Sequence, residues 1–367
     1  MHLADSLAEA ERVLTFCNAC RYCEGFCAVF PAMELRRNFL EQDLNYLANL
    51  CHNCRDCYYA CQYAPPHEFD LNVPKTLGEL RLDTYRDFAW PGLFAGLFKR
   101  NAPATVMIAV LSVLLVSLLT LIIQGPATVF SSHLGQNAFY KVIPYLIIVI
   151  PMSALGLFVL AGLMMGVRRL WQETGGRMGE LLNLRANLQA LKDALSLKYL
   201  AGSGHGCNYP DERFSHIRRW LHHFTFYGFM LCLAATTVAA YYDHFLNWKA
   251  PYPFWSWPVV LGTAGGVALL IGTAGLLYLK KTMDSAPAAP AAFSMDIGFL
   301  LLLFLVSLTG LLLLIFRETA AMGILMTVHL GLVVALFAAM PYGKFIHAVY
   351  RYAALVRNAI ETSREGQ

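Results

Sequence analysis

The sequence predicts a mainly α-helical protein in two parts, a small cysteine-rich head and a bundle of six membrane-crossing helices. Three observations predict it. Of the 367 residues 57% are hydrophobic and only 14% are charged, whereas a soluble domain carries about 25% charged residues. The deficit is uneven: residues 1–100 have an ordinary polar composition, and long apolar runs dominate the rest. Eight of the ten cysteines fall within residues 17–61. The net charge of +4 does not point to nucleic acid; its distribution along the chain is the informative part.

The head, residues 1–86, carries "CNACRYCEGFC" (Cys17–Cys27) and again "CHNCRDCYYAC" (Cys51–Cys61), all four cysteines shifted by 34 positions. "MHLADSLAEAERVL" shows no basic start followed by an apolar run, so the head is expected on the cytoplasmic side. There, clustered thiols read as metal ligands rather than disulfides. C-x2-C-x2-C-x3-C presents four thiolates, the number a cubane cluster needs, and in two-cluster ferredoxins the fourth cysteine of each run serves the other cluster. Carried over, Cys17, Cys20, Cys23 and Cys61 hold one [4Fe–4S] cluster, and Cys51, Cys54, Cys57 and Cys27 hold the second. The head is then an α-helical two-[4Fe–4S] ferredoxin-like unit. Structural zinc is the rival, but its cysteines usually come as two pairs with a longer gap. Ala28 and Gln62 follow the two runs where the bacterial pattern has proline; Pro31 and Pro65 come later. The intervening "FPAMELRRNFLEQDLNYLANL" reads as supporting helix, with His52 and His67 as neighbours of the sites or surface residues.

Residues 87–103 include "WPGLFAGLFKR" (Trp90–Arg100), an amphipathic stretch expected to lie at the membrane interface. Residues 104–345 form the transmembrane domain. Six apolar segments, Ala104–Ile123, Val142–Gly166, Phe224–Tyr241, Val259–Leu279, Ile297–Phe316 and Met322–Met340, contain no Asp, Glu, Lys or Arg, and each approaches the roughly 17–25 residues a membrane helix requires. Pro144 and Pro151 are expected to kink the second. With the N-terminus inside, the inner segments hold 25 Lys and Arg, and the outer loops hold only Lys141, Lys249 and Arg317. This bias puts both ends in the cytoplasm and the protein in a bacterial inner membrane. Within the inner loop 168–219, Leu181, Leu184, Leu188, Leu191 and Leu195 repeat at helical spacing, reading as a helix packed on its neighbours or docking a partner. "DSAPAAPAA" (Asp284–Ala292) reads as a linker, and residues 346–367 as a cytoplasmic tail. Cys232 reads as an apolar filler and Cys207 as part of a tight glycine-rich loop.

Histidine is costly inside a membrane and marks function there. His329 lies in the last apolar segment and His347 just past its inner end. Their 18-residue separation spans about 27 Å of helix. His222 and His223 stand at the inner end of the third segment and His244 at its outer end. Antiparallel helices let His347 meet His222 or His223, and let His329 meet His244 less well, since His244 falls beyond its segment. Facing histidines in a bundle are what a bis-His haem b needs: one haem at the inner pair, and a second if the outer pair closes. No C-x-x-C-H occurs, so covalent attachment is excluded. Neither G-x-G-x-x-G nor G-x-x-x-x-G-K-[ST] occurs, so the chain is not expected to bind a dinucleotide or hydrolyse ATP. The absence of charge from the apolar segments also counts against a transporter with an Fe–S sensor head.

The cysteine runs, "GCNYPDERFSHIRRWLHHFTFYGFMLCLAATTVAAYYDH" and "HLGLVVALFAAMPYGKFIHAVYR" together resemble the tricarballylate (citrate) utilization protein B family over nearly the whole chain. The last helix also resembles the haem b subunits of nitrate reductase and heterodisulfide reductase. The first resemblance implies a quinone-reducing subunit of a two-component system. It would reoxidise the FAD of a partner tricarballylate dehydrogenase and pass electrons through the clusters and haem b to the membrane quinone pool. A different donor, such as a thiol or another organic acid, is the alternative. No pattern locates the quinone; Lys344, Tyr342, Arg218 and Arg219 are the polar candidates on the inner side, and Asp243, Tyr241 and Tyr242 on the outer side.

Overall fold

The computed structural model describes residues 3–365; the outermost residues of the first and last expected domains, 1–2 and 366–367, lie outside the described residues. Helices α1 (Leu3–Cys20), α2 (Val29–Glu34), α3 (Glu41–Leu50), α4 (Asp56–Tyr59) and α5 (Val73–Asp87) build the head. Local chemistry sets where they start. Asp43 in the first turn of α3 accepts the Leu40 backbone N–H at 3.3 Å. Asn72 caps α5 by accepting from the Lys75 N–H at 3.2 Å, and Pro74, which has no N–H to lose, occupies the first turn. The apolar faces meet in a core that includes Leu14, Met33, Leu47, Leu50, Leu77 and Leu80.

A 3-10 helix at Gly92–Arg100 leads into the membrane part and leaves Leu93 and Phe94 exposed. Then come α6 (Asn101–Gln124), the short α7 (Pro126–Val129) and α8 (Ala138–Val142), and α9 (Tyr145–Glu173). Helix α10 (Leu184–Leu195) and an antiparallel two-strand pair, β1 (Cys207–Asn208) and β2 (Phe214–Ser215), with Cys207 opposite Ser215, fill the long segment that follows α9. The remaining helices are α11 (Ile217–Phe245), α12 (Trp257–Thr282), α13 (Pro290–Phe316), α14 (Met322–Ala339) and α15 (Ile346–Glu365). The protein is mainly α-helical, and among the described residues six helices, α6, α9, α11, α12, α13 and α14, are long and apolar enough to cross a membrane. Small residues let them approach. A Cβ on Gly265 of α12 would sit 2.8 Å from the Gly228 carbonyl of α11, and one on Gly331 of α14 would sit 2.5 Å from the Val113 Cα of α6.

Four expectations change. Pro144 does not kink α9: its extended backbone precedes the first helical residue, and only Pro151 lies inside. The linker is shorter than its composition implied, because Pro290 opens α13 and the preceding loop is tied to the head by Tyr59 Oη, which donates to Asp284 Oδ2 at 2.7 Å. The C-terminal segment is not a separate tail, since Tyr350, Ala353, Val356 and Ile360 of α15 lie in the head's core. There the buried Arg36 pairs with Asp43 of α3 and with Glu361 of α15, each at 2.7 Å. Finally, the leucine stripe of α10 is not packed. Leu184, Leu188, Leu191 and Leu195 are exposed, Leu181 before the helix packs half-buried against the core, and Ala186, Ala190 and Asp193 are the buried residues of the helix.

Candidate functional site

Cys17 and Cys20 end α1, Cys23 and Cys27 follow in the loop, Cys51 and Cys54 lie between α3 and α4, Cys57 is in α4, and Cys61 follows it. Arg21, Asn53 and Arg55 adopt left-handed backbone (φ 55°, 55° and 74°), a conformation uncommon outside glycine, and curl the two runs. The thiols fall into two neighbourhoods. Burial, reinforced by the thiols of Cys23, Cys61 and Cys20, pushes Cys17 up to about 12. Burial and the Cys51 thiol push Cys27 up to about 12. Cys57 is raised well above the ordinary thiol range by burial and then by Cys54, Cys27, Cys51 and Cys23. The electrostatic neighbours of Cys17 thus include Cys61, and those of Cys27 include Cys51. Among the described residues no three Cys, His, Asp or Glu side chains close around a point as a single ion would need. The donor set fits thiolate-bound metal: buried thiols that repel one another as thiolates are relieved by bound metal, which takes them deprotonated.

The glycine-rich loop braces the second run. Asn208 N–H donates to the Cys54 carbonyl at 3.1 Å, and Asp56 accepts from the N–H of Ser203 at 3.2 Å and of Asn208 at 3.3 Å. Cys207 is fully buried beside Cys54 and donates to the Leu200 carbonyl at 3.1 Å. Cys232 packs where α11 meets Gly265 of α12, consistent with its reading as filler.

Directly below the second run lies a cavity of about 260 Å3. His222 of α11 and His347 of α15 line it with their ring centroids 6.3 Å apart and their planes at 72°. Two imidazoles on opposite sides of one iron, each nitrogen about 2 Å from the metal, have centroids roughly 6 Å apart. His347 Nδ1–H donates to the Lys344 carbonyl at 2.5 Å, which leaves Nε2 bare, the usual arrangement of a metal-ligating histidine. Burial, helped by Arg351 and Lys344, holds His347 well below the usual histidine range, hence neutral. His222 Nδ1 is buried with no hydrogen-bond partner among the described residues. Phe226, Phe229, Phe299 and Leu303 supply apolar walls, and Arg81, Arg218, Lys280, Lys344 and Arg351 a cationic rim. Opposed imidazoles, apolar walls and cations suited to carboxylate side arms fit haem b. His223 points to other company, stacked on Tyr227 at 5.6 Å, so of the two adjacent histidines only His222 faces His347.

Three arginines join this cavity to the cysteines. Arg218 donates to the carbonyls of Asn53 at 2.5 Å and His52 at 3.3 Å. Arg351 donates to the Cys51 carbonyl at 3.0 Å, and so does Arg81. His52, expected at the periphery, also lines the cavity, its Nδ1–H donating to the Leu50 carbonyl at 2.8 Å. His67 lies elsewhere, its Nδ1 accepting from the Phe69 N–H at 3.1 Å.

The outer pair does not close. His244 Nε2 is hydrogen-bonded to Tyr145 Oη at 2.7 Å on the exposed end of α11, while His329 Nδ1 pairs with Thr309 Oγ1 at 3.1 Å inside the bundle. Of the polar candidates for quinone, Lys344 and Arg218 line the inner cavity. Tyr342 donates to the Pro91 carbonyl at 3.3 Å, and Arg219 to the Ser196 carbonyl at 2.7 Å. At the outer end Asp243 is taken up by Tyr140 (2.8 Å) and Lys249 (2.7 Å), Tyr242 stacks on Trp248 at 4.9 Å, and Tyr241 stacks on Phe245 at 5.2 Å. One group escaped the sequence reading altogether. Asp296 of α13 is buried at the edge of the cavity, paired with Lys280 at 2.5 Å and Lys344 at 2.7 Å. Its signal was an acid immediately before an apolar run.

Two family models match the chain. A family model described as citrate utilization protein B matches residues 96–367, and one described as the citrate utilization protein B Fer4-like domain matches residues 10–87. A protein of Escherichia coli named citrate utilization protein B is 48% identical over 369 aligned positions, covering 100% of this chain and 95% of that protein. No solved structure matches.

Proposed function

Because the chain belongs to the citrate utilization protein B family, we propose that it is the electron-transfer subunit of a two-component oxidoreductase. It reoxidises the reduced flavin of a partner tricarballylate dehydrogenase and delivers the electrons to membrane quinone. The Fer4-like head gives it an iron–sulfur redox role, and the six apolar helices a place in a membrane. In this reading Cys17, Cys20, Cys23 and Cys61 hold one [4Fe–4S] cluster, and Cys51, Cys54, Cys57 and Cys27 the other. His222 and His347 hold haem b. Residues 1–86 form the cluster domain, 87–103 the interfacial segment and 104–345 the haem domain. The Lys and Arg bias supports an inner-membrane protein with both ends in the cytoplasm.

The observation that carries the reading is the shared wall: the second cysteine run roofs the cavity in which two half-buried histidines face each other 6.3 Å apart. Clusters and haem each exchange one electron, so together they join a two-electron flavin to a two-electron quinone. The chain's own residues supply the rest: thiols that bind, imidazoles held neutral and oriented, aromatic walls that exclude water, and a cationic rim. Cys20 and Tyr22 are exposed in the first run, which supports entry of electrons there and exit through the second.

The test uses the full-length protein purified in detergent. Analysis is expected to give about eight iron and eight sulfide per chain, with reduced b-type bands whose haem extracts into acidic acetone. Mixed with its reduced flavoprotein and a water-soluble quinone, the protein is expected to reduce the quinone. Stoichiometric zinc in place of iron would overturn the cluster assignment. Reduced clusters and haem that neither this quinone nor the native one reoxidises would overturn the acceptor.

A further inference from the structure

Helices α11 and α15 approach the cavity with the same device. On α11, Arg218 precedes His222 by four residues; on α15, Arg351 follows His347 by four. Positions four apart lie on one helix face, so each histidine has a guanidinium one turn toward the head. Both guanidiniums line the cavity, and both also hold the second cysteine run, Arg218 at the carbonyls of Asn53 and His52 and Arg351 at that of Cys51. Both guanidiniums are charged at neutral pH. Two half-buried cations converge on three successive carbonyls, with Arg81 as a third at that of Cys51. Ordinary backbone capping does not need them.

We propose that Arg218 and Arg351 are positioning residues for electron transfer, fixing the second cysteine run against the histidine pair and biasing the electron toward the head's exit. The inference deepens the reading of Cys27, Cys51, Cys54 and Cys57 as cluster ligands and of His222 and His347 as haem ligands, and it rests on that reading. In the step concerned, one electron leaves the cluster and one is gained by the haem iron; no bond forms or breaks and no proton moves. The reduced flavin of the partner supplies the electron. Cations beside the cluster favour its more negative reduced form, and the forked hydrogen bonds hold the separation between the two centres. A lysine keeps the charge and loses the fork.

The experiment uses full-length protein in lipid nanodiscs, as wild type, Arg218→Gln/Arg351→Gln and Arg218→Lys/Arg351→Lys. The readouts are haem content, the EPR signals and midpoint potentials of the clusters, and the rate of haem reduction after flash photoreduction of a deazaflavin. The glutamine variant is expected to keep its haem, to shift the signal and lower the potential of the second cluster alone, and to reduce its haem at least ten-fold more slowly. The lysine variant is expected to restore the potential but not the full rate. A glutamine variant with wild-type signals, potentials and rate would overturn the proposal. If the glutamine variant fails to retain haem, the lysine variant decides: slowed haem reduction at unchanged haem content supports the proposal, and a wild-type rate overturns it. A wild-type protein lacking haem would overturn the underlying reading, and the proposal with it.

Discussion

The head-side and far-side ends of the bundle each offer a pair of histidines, and only the head-side pair converges. His222 and His347 line one cavity, face each other at 6.3 Å, and present one bare ring nitrogen and one unpartnered one. His244 is taken up by Tyr145 at the exposed end of its helix, and His329, bonded at Nδ1 to Thr309, keeps one ring nitrogen open but makes no ring contact with a second imidazole among the described residues. The difference teaches that histidines at matching helix ends make a site only where two of them face each other with ring nitrogens left over. At the far side one histidine of the pair is turned to a tyrosine, so the other has no partner across the bundle.

The largest effect follows from that contrast. His222→Ala and His347→Ala are each expected to abolish the b-type absorption, whereas His329→Ala and His244→Ala are expected to leave it at wild-type intensity. Haem content per chain, measured on protein matched for iron, checks this. Loss of half the haem in His329→Ala would break the comparison, because it would require a second site at the far end.

Much of the architecture was legible in the sequence because its signals are local. Apolar runs and doubled cysteines are read within a few tens of residues, and all six long apolar helices fall where those runs lie. What stayed hidden depends on contacts between distant segments. Nothing near His222 marks it over His223 until α15 brings His347 to one side of α11 and Tyr227 stacks on the other. Arg218 and Arg351 read as ordinary inner-side positive charges, yet their hydrogen bonds reach residues 165 and 300 positions away. Asp296 fell just outside an apolar segment, and its lysine partners come from two other stretches of chain.

Asp296 sharpens the comparison next. Both ends of the bundle bury one aspartate: Asp296 between Lys280 and Lys344 on the head side, and Asp243 with Lys249 and Tyr140 on the far side. Removing one partner of a buried ion pair costs about 3–5 kcal/mol. Asp296→Ala strands two ammonium groups at the cavity edge and is expected to cost about 3 kcal/mol, with visible loss of haem. Asp243→Ala strands one ammonium rather than two, far from the cavity, and is expected to cost less and to spare the haem. Thermal unfolding followed by intrinsic fluorescence, with haem content read in parallel, measures both. Equal haem loss in the two variants would show that the far end supports the cofactor site after all.

The smallest effects test the same lesson on a single helix. Helix α10 carries two faces, one of leucines and one of small residues, and composition alone favours burying the leucines. The fold instead lays α10 against α15 through Ala186 and Ala190, where Tyr352 Oη donates to Asn187 Oδ1 at 2.9 Å, because small side chains let two backbones come close. Ala190 is 1% exposed and Leu188 is 58% exposed. Ala190→Leu therefore forces extra volume into a closed contact and is expected to cost about 1–3 kcal/mol. Leu188→Ser removes surface that touches little and is expected to change stability by less than about 0.5 kcal/mol. Paired denaturation midpoints in the same detergent decide the matter. If Leu188→Ser proves the more damaging of the two, the leucine face is covered in the native protein, and the face that chemistry leaves free on α10 is the alanine one.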